Sequence, residues 1–161
     1  MKFILIDKLV RIEPGKSVRA VKSLSLAEEY LADHFPTFPV LPGVLMVEAM
    51  VQSAAWLVRV TRNFSHSVIT LSEAKNVTYG NFVAPGDQME VTCEAIRIDA
   101  TSSSFKAQCA VGDGVTAKAR LTLTHYNLAD RHPGWEEEDK KLIDYLHRQF
   151  NVLSGPEAVV A

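Results

Sequence analysis

The sequence predicts an α+β fold in which an antiparallel sheet is wrapped round one long central helix. The first observation behind this prediction is a strongly apolar stretch of helical length, from Gly43 to about Thr61. The second is the alternation of apolar and polar residues in the segments that follow, which is typical of antiparallel strands with one covered face. A helix that is apolar nearly all round must be enclosed, so we expect the sheet to surround it.

Turns and changes of period divide the rest of the chain into roughly five to seven strands and one short helix. We expect strands in residues 2–12, 17–24, 66–80, 87–98, 104–111 and 115–126, and a short helix in residues 26–31. The third of these strand segments holds either one strand or two around a break near residues 73–76. After Ala95 the apolar positions shift by one residue, to Ile96 and Ile98, which predicts a β-bulge.

Composition and charge indicate a soluble globular domain. The chain has 161 residues, of which 47% are hydrophobic and 22% charged, so it can bury a full core. Its formal net charge of -2 argues against a nucleic-acid binder and against a basic membrane surface. The sequence has no C-x-x-C pair, no histidines at metal-ligand spacing and no nucleotide or flavin motif, so we expect no metal and no cofactor.

The cysteines and the first residues favour a cytoplasmic protein. Cys93 and Cys109 fall on one face of a predicted hairpin, and without signs of secretion two reduced thiols in the core are favoured over a disulfide. The N-terminal sequence MKFILIDKLVRI has too few apolar residues before Asp7 to form a signal-peptide core.

Residues 38–58 are long and apolar enough to raise the question of a transmembrane helix. The stretch is interrupted by two prolines, a glycine and two polar side chains: Pro39, Pro42, Gly43, Glu48 and Gln52. A buried helix in a soluble protein fits these interruptions better, so we expect no membrane insertion.

Residues 1–126 contain the predicted sheet and helix, and residues 127–161 form a C-terminal extension. Within the extension, residues 135–150 predict an amphipathic helix with four apolar residues on one side: Leu142, Ile143, Leu146 and Phe150. Two pairs of opposite charge four residues apart support this helix: Glu136 with Lys140, and Glu137 with Lys141. The helix either packs on the body of the domain or docks a partner, and residues 154–161 are expected to be frayed.

A proline-rich loop leads into the apolar helix, in the stretch DHFPTFPVLPGVLMVEAMVQ of residues 33–52. The N-terminus of a helix exposes N–H groups without intrahelical acceptors and carries a partial positive charge. Because Gly43 has no side chain, an oxygen atom can approach these N–H groups closely. This arrangement predicts a site for a developing oxyanion.

Two residues near this helix end are candidates for proton transfer. Glu48 lies about 7.5 Å beyond Gly43 along the axis, at 1.5 Å per residue, and its side chain leans back toward the N-terminus. Apolar surroundings favour its neutral form, a proton donor, and Gln52 one turn further can hydrogen-bond the carboxyl. His34, at the other end of the loop, carries an imidazole that suits a general base. Each residue alone has an ordinary structural explanation, but together they indicate a catalytic site.

The string HFPTFPVLPGVLMVEAMVQ resembles the signature of the 3-hydroxyacyl-[acyl carrier protein] dehydratases of type II fatty acid synthesis. The resemblance continues in KNVTYGNFVAPGDQMEV, residues 75–91, and covers about residues 1–126. It implies the hot-dog fold, in which an antiparallel sheet surrounds one long helix. It also implies dehydration of 3-hydroxyacyl thioesters on the carrier protein to trans-2-enoyl thioesters.

The resemblance assigns roles to residues of the first motif. His34 matches the catalytic histidine, Glu48 the catalytic carboxylate, and Gly43 the residue whose N–H holds the thioester carbonyl. Gln52 matches a supporting glutamine, and Phe35 a residue that lines the acyl tunnel. A sister family that also isomerises the double bond has Asp in place of Glu48, so the dehydratase-only branch is favoured.

The resemblance also implies partners. The substrate is carried by an acyl carrier protein, and the histidine and the glutamate of one site come from two subunits, which implies a homodimer or a higher homo-oligomer. The carrier protein is acidic, and four basic residues are candidates for contact with it by their sign alone: Arg59, Arg62, Lys75 and Arg97.

Departures from the family pattern leave other functions open. Asp33 stands where the family usually has Gly, and Thr37-Phe38 replaces a pair that is commonly small or polar. One alternative is another acyl-thioester enzyme of the same fold, either an enoyl hydratase or a thioesterase. Another is a non-catalytic assembly module that uses the C-terminal extension for docking.

Overall fold

The computed structural model describes residues 3–160 and confirms the predicted α+β architecture. The helices are α1 (Gly43–Thr61), α2 (Glu136–Val152) and α3 (Gly155–Ala158), with 3₁₀ turns at Glu29–Leu31 and Leu128–Asp130. The strands are β1 (Lys8–Glu13), β2 (Ser17–Ser23), β3 (Val68–Tyr79), β4 (Gln88–Ile98), β5 (Ser102–Val111) and β6 (Gly114–Tyr126). They form one six-stranded antiparallel sheet in the order β1-β2-β4-β5-β6-β3.

Helix α1 lies against the inner face of the sheet and forms the centre of the core. Alternate residues of the inner strands face it and are fully buried, among them Met89, Val91, Phe105, Leu121 and Leu123. Burial along these strands therefore alternates from one residue to the next, as the sequence predicted. An 18-residue window of α1 is apolar enough to cross a membrane, but 56% of it is buried inside the fold. It is the core helix of a soluble protein.

The two cysteines are free and buried, as the sequence predicted. The thiol of Cys93 donates to the carbonyl of Met50 (3.4 Å), and the thiol of Cys109 to that of Met46 (3.7 Å), so both contact α1 from neighbouring strands. Burial raises the pKa of Cys93, and raises that of Cys109 to about 12. Both thiols are therefore inert packing groups.

Two irregular regions of the sheet fall where the sequence placed them. The pairing of β4 with β5 shifts register between Ala95 and Arg97, which confirms the bulge. Strand β3 is a single strand whose pairing with β6 shifts between Leu71 and Glu73 and again between Lys75 and Thr78, so the predicted break is a pair of irregularities.

Two predictions near the N-terminus were wrong in extent. The first strand begins at Lys8, not at residue 2; residues 1 and 2 lie outside the described part of the chain. The helix expected in residues 26–31 is one 3₁₀ turn, Glu29–Leu31.

Helix α2 packs on the body of the domain. The ring of Phe150 lies 5.7 Å from that of Trp56 on α1 and 5.6 Å from that of Phe64, and the ring of His147 stacks on Phe64 at 3.9 Å. The predicted ion pairs were wrong by one position. The pairs formed are three residues apart: Glu137 with Lys140, and Glu138 with Lys141.

The expectation of a frayed end was also wrong for residues 154–160. Gly155 and Ala158 are buried in α3, and a Cβ on Gly155 would lie 2.1 Å from the Phe150 ring. Val159 then forms a parallel bridge with Ile12, and the N–H of Val160 donates to the Ile12 carbonyl (2.9 Å). Backbone hydrogen bonds to β1 and apolar burial hold this segment, and such contacts with distant residues are not visible in the local sequence.

Candidate active site

The proline-rich loop fixes the orientation of the His34 ring. Its Nδ1 lies 3.1 Å from the carbonyl oxygen of Val40, and its edge packs against the ring of Phe35 at 4.5 Å. A carbonyl can only accept, so Nδ1 carries the proton of the neutral imidazole. Nε2 is then the nitrogen with a free lone pair, as a general base requires.

Gly43 starts α1 with its N–H free. The carbonyl of Pro42 accepts from the N–H of Leu45 (2.9 Å) and Met46 (3.3 Å). Within residues 3–160, no hydrogen bond uses the N–H groups of Gly43 and Val44. They are donors at the positive end of the helix dipole, as the sequence predicted.

These groups meet in one cavity of about 440 Å³, which we call the His34 cavity. Of the predicted site residues it is lined by His34, Phe35 and Gly43. Two aromatic residues that were not predicted from the sequence, Tyr79 and Phe82, also line it. The signal that could have found them is their position in the second region of family resemblance, residues 75–91.

Glu48 lines a different cavity of about 230 Å³, which we call the Glu48 cavity. Its carboxyl is held by Gln52, whose Nε2 donates to Glu48 Oε1 (3.0 Å). Gln52 is itself fixed, because its Nε2 also donates to the Phe3 carbonyl (3.0 Å) and its Oε1 accepts from the N–H of Leu5 (3.0 Å). The predicted hydrogen bond between Gln52 and the carboxyl is confirmed.

Within one chain, Glu48 and His34 are therefore not brought together. From the sequence we expected the Glu48 side chain to point toward the oxyanion site at Gly43, yet Glu48 does not line the His34 cavity of its own chain. The region around Glu48 is shared with residues 3–6 and with α2 instead. Among residues 3–160, no group of three or more His, Cys, Asp or Glu side chains could hold a metal ion.

The solved structures that this chain resembles share its fold. The dehydratase heterocomplex ApeI:P from Xenorhabdus doucetiae has a TM-score of 0.67 and 17% identity, covering 80% of this chain and 87% of that chain. A mutant thioesterase, PA1618 from Pseudomonas aeruginosa, has a TM-score of 0.55 and 17% identity, and the match covers 70% of this chain and 76% of that chain. Likeness at this identity concerns the fold alone, and it confirms the predicted hot-dog fold.

The sequence matches are more specific. Residues 1–120 match the model of the FabA-like domain. The 3-hydroxyacyl-[acyl-carrier-protein] dehydratase FabZ of Albidiferax ferrireducens is 38% identical over 130 residues, which cover 79% of this chain and 87% of the relative. FabZ of Gluconobacter oxydans is 38% identical over 122 residues, which cover 74% of this chain and 72% of the relative. The chain therefore belongs to the FabZ family of 3-hydroxyacyl-[acyl-carrier-protein] dehydratases.

Proposed function

We propose that this chain dehydrates 3-hydroxyacyl thioesters held on an acyl carrier protein, giving trans-2-enoyl thioesters for fatty acid biosynthesis. The observation that carries the proposal is the His34 cavity, which is lined both by an imidazole whose Nε2 has no partner among residues 3–160 and by the free N–H of a helix end. Family membership supports it, because the curated relatives bear the name of this reaction.

The proposed reaction uses three groups. The thioester carbonyl accepts from the N–H of Gly43, so the charge that develops on its oxygen is stabilised by the helix end. Nε2 of His34 takes the proton from the α-carbon, and that C–H electron pair forms the double bond as the C–O bond at position 3 breaks. Glu48, as the neutral acid, gives its proton to the departing hydroxyl, which leaves as water. A proton returned from the imidazolium to the carboxylate resets the site.

The proposed site is completed by a second copy of the chain. His34 and Glu48 line separate cavities of one chain, so one substrate can meet both only if a second subunit supplies one of them. Strand β3 supports a homodimer, because it is the last strand of the sheet and its outer side is available for pairing. Exposed apolar residues lie near this edge, including Val44, Leu71, Tyr79 and Phe82.

The carrier protein and the cytoplasm complete the proposal. Of the four basic residues suggested for carrier contact, Arg97 pairs with Asp99 (2.5 Å), Lys75 pairs with Glu73 (3.0 Å), and Arg59 is half-buried. Arg62 is exposed and forms no ion pair within residues 3–160, so we favour it as a contact for an acidic carrier. A soluble protein that works on carrier-bound intermediates belongs in the cytoplasm.

The test is turnover of carrier-bound 3-hydroxyacyl substrates by the wild type and by Glu48→Gln. The amide oxygen of the new side chain can accept from Gln52, so we expect the fold to be kept and dehydration to fall by about 100-fold or more. Glu136→Gln is the matched control, because Glu136 is an exposed glutamate on α2 that lines neither cavity. Full turnover by Glu48→Gln would remove Glu48 from the mechanism.

The same assay separates the alternatives. An enoyl product absorbs in the ultraviolet, whereas a thioesterase would release free thiol without it. Hydration of an added enoyl thioester is the reverse reaction and uses the same groups, so both directions are expected. Absence of every product from an intact homodimer would favour the non-catalytic module.

A further inference from the structure

The Glu48 cavity follows one stripe of α1. Glu48, Gln52 and Arg59 line it at spacings of four and seven residues, with Trp56 between the last two. Glu48 and Arg59 are eleven residues apart, which corresponds to about 16 Å along the axis at 1.5 Å per residue. The walls between these ends are mostly apolar and include Ile4, Ile6, Val51, Ile69, Leu146 and Leu153. The cavity is therefore an apolar groove with the candidate acid at one end and a cation at the other.

Arg59, at the far end, is a half-buried cation without an anionic partner among residues 3–160. Its Nε is buried and has no acceptor among the described residues. No carboxylate of residues 3–160 lies within 4.0 Å of its guanidinium, which instead sits 5.0 Å from the centre of the Trp56 ring. Burial lowers the pKa of Arg59 to about 10, so the group still carries its charge at neutral pH. A buried charge is unfavourable unless an acceptor pairs with it.

Part of the cavity wall comes from the C-terminal extension. Tyr145, Leu146 and Gln149 of α2 and Leu153 after it line the same cavity as Arg59. These residues lie outside the part of the chain, residues 1–120, that matches the family model. Part of the groove wall is thus built by a segment outside the matched domain.

We infer that the Glu48 cavity receives the acyl tail of the substrate, and that Arg59 selects tails whose far end carries an oxygen acceptor, a carboxylate most strongly. The inference rests on the proposed function, because Glu48 marks the reacting end of the chain only if it is the catalytic acid. Methylene groups fit the apolar walls, and a terminal carboxylate gives the guanidinium the charge-assisted hydrogen bonds that it lacks. Tyr145 and Gln149 are additional hydrogen-bonding groups in the cavity wall.

The test measures binding, so it does not depend on turnover. Saturated acyl pantetheine amides of one length, ending in methyl, hydroxyl or carboxylate, lack the 3-hydroxyl and cannot react. By calorimetry we expect the carboxylate-ended compound to bind at least about tenfold more tightly than the methyl-ended one, since hydrogen bonds to charged groups are strong. Arg59→Met should abolish this preference and Arg59→Lys should keep part of it. Arg148→Met, which removes an exposed charge of α2 outside the cavity, should leave the preference unchanged.

A second variant keeps the test valid if Arg59→Met fails to fold. Gln149 is half-buried on α2, and Gln149→Trp should fill the groove without removing a core residue, so all three compounds should bind more weakly. Equal affinity for the methyl and carboxylate ends, a preference that survives Arg59→Met, or full binding by Gln149→Trp would each overturn the inference. If the chain binds the carboxylate-ended compound selectively but dehydrates no substrate, the proposed function fails and the tail site stands.

Discussion

A Cβ atom on Gly43 would lie 2.7 Å from Cε1 of the Tyr79 ring, so the last residue of β3 covers the first residue of α1. The ring occupies the space that a side chain would need, which explains glycine at this position independently of any ligand. The same contact joins the sheet to the helix end whose N–H groups line the His34 cavity.

Gly43→Ala is expected to be destabilising because of Tyr79. The added methyl group must displace the ring or shift the start of α1, and overpacking of this kind costs about 1–3 kcal/mol. The penalty should fall to less than half in a Tyr79→Ala background, where the ring is gone. Urea unfolding of the two single variants and the double variant measures this coupling, and strictly additive losses would contradict it.

Mixing two inactive variants tests whether a site spans two subunits. His34→Ala and Glu48→Gln should each be inactive as homodimers. After subunit exchange, half of the dimers are hybrids, and each hybrid has one site with both residues intact, so about a quarter of wild-type activity should return. If both groups of a site came from one chain, the mixture would stay inactive. Mixing His34→Ala with itself under the same conditions is the control.

Asp139 is expected to anchor the C-terminal extension. It accepts from the Ser67 hydroxyl and from the N–H groups of Leu128 (2.8 Å) and Ala129 (3.0 Å). Burial alone would raise the pKa of this carboxyl, but these hydrogen bonds outweigh burial and lower it. Asp139→Ala leaves the donors unpaired, so the free energy of unfolding should fall by about 2 kcal/mol.

Asp144→Ala is the matched control for this prediction, because Asp144 is an exposed aspartate on the same helix. It should change the free energy of unfolding by less than about 0.5 kcal/mol. Similar losses for the two variants in denaturant titrations would show that Asp139 is not an anchor.

Buried His125 should make stability depend on pH. Its Nε2 lies 2.8 Å from the Ser103 hydroxyl, and burial, with a smaller effect of His66, lowers its pKa from 6.5 to about 4. Between these values the unfolded chain binds more protons than the folded one, so stability is full above about pH 6.5 and falls as pH drops toward 4.

The expected loss by pH 4 is roughly 3 kcal/mol, because one pKa unit corresponds to about 1.4 kcal/mol. Unfolding free energies at several pH values should show a flatter profile for His125→Gln than for the wild type. His132→Gln, at an exposed histidine, should keep the wild-type profile. An unchanged slope in His125→Gln would assign the pH dependence to other groups.

The fold could be predicted because its signals are local. Pro42 and Gly43 mark the start of α1, and the bounds Gly43–Thr61 are those the apolar run indicated. The first residues could not be predicted, because their backbone bonds go to a side chain far along the sequence. The Leu5 N–H and the Phe3 carbonyl form hydrogen bonds with the side chain of Gln52. The apolar residues 3–5 therefore resemble a strand in sequence but are fixed by a helix side chain and not by a neighbouring strand.

The candidate site was predictable only in part. The residue types and the free helix end follow from the sequence, and the hydrogen bond from Gln52 to Glu48 follows from their spacing of four residues. The division of His34 and Glu48 between two cavities depends on where the loop and the helix face lie in three dimensions. The spacing of Gly43 and Glu48 along α1, taken alone, suggested that the catalytic groups lie in one cavity of one chain.

The tie between the last residues and β1 limits how copies of this protein can associate. Leu153 accepts from the N–H of Leu9, and Val159 and Val160 pair with Ile12, so the chain covers this margin of the sheet with its own end. Among residues 3–160, the opposite margin, at β3, has no strand beyond it. If two molecules pair through β3, neither outer margin of the joined sheet is open, so the sheet cannot extend further into a filament.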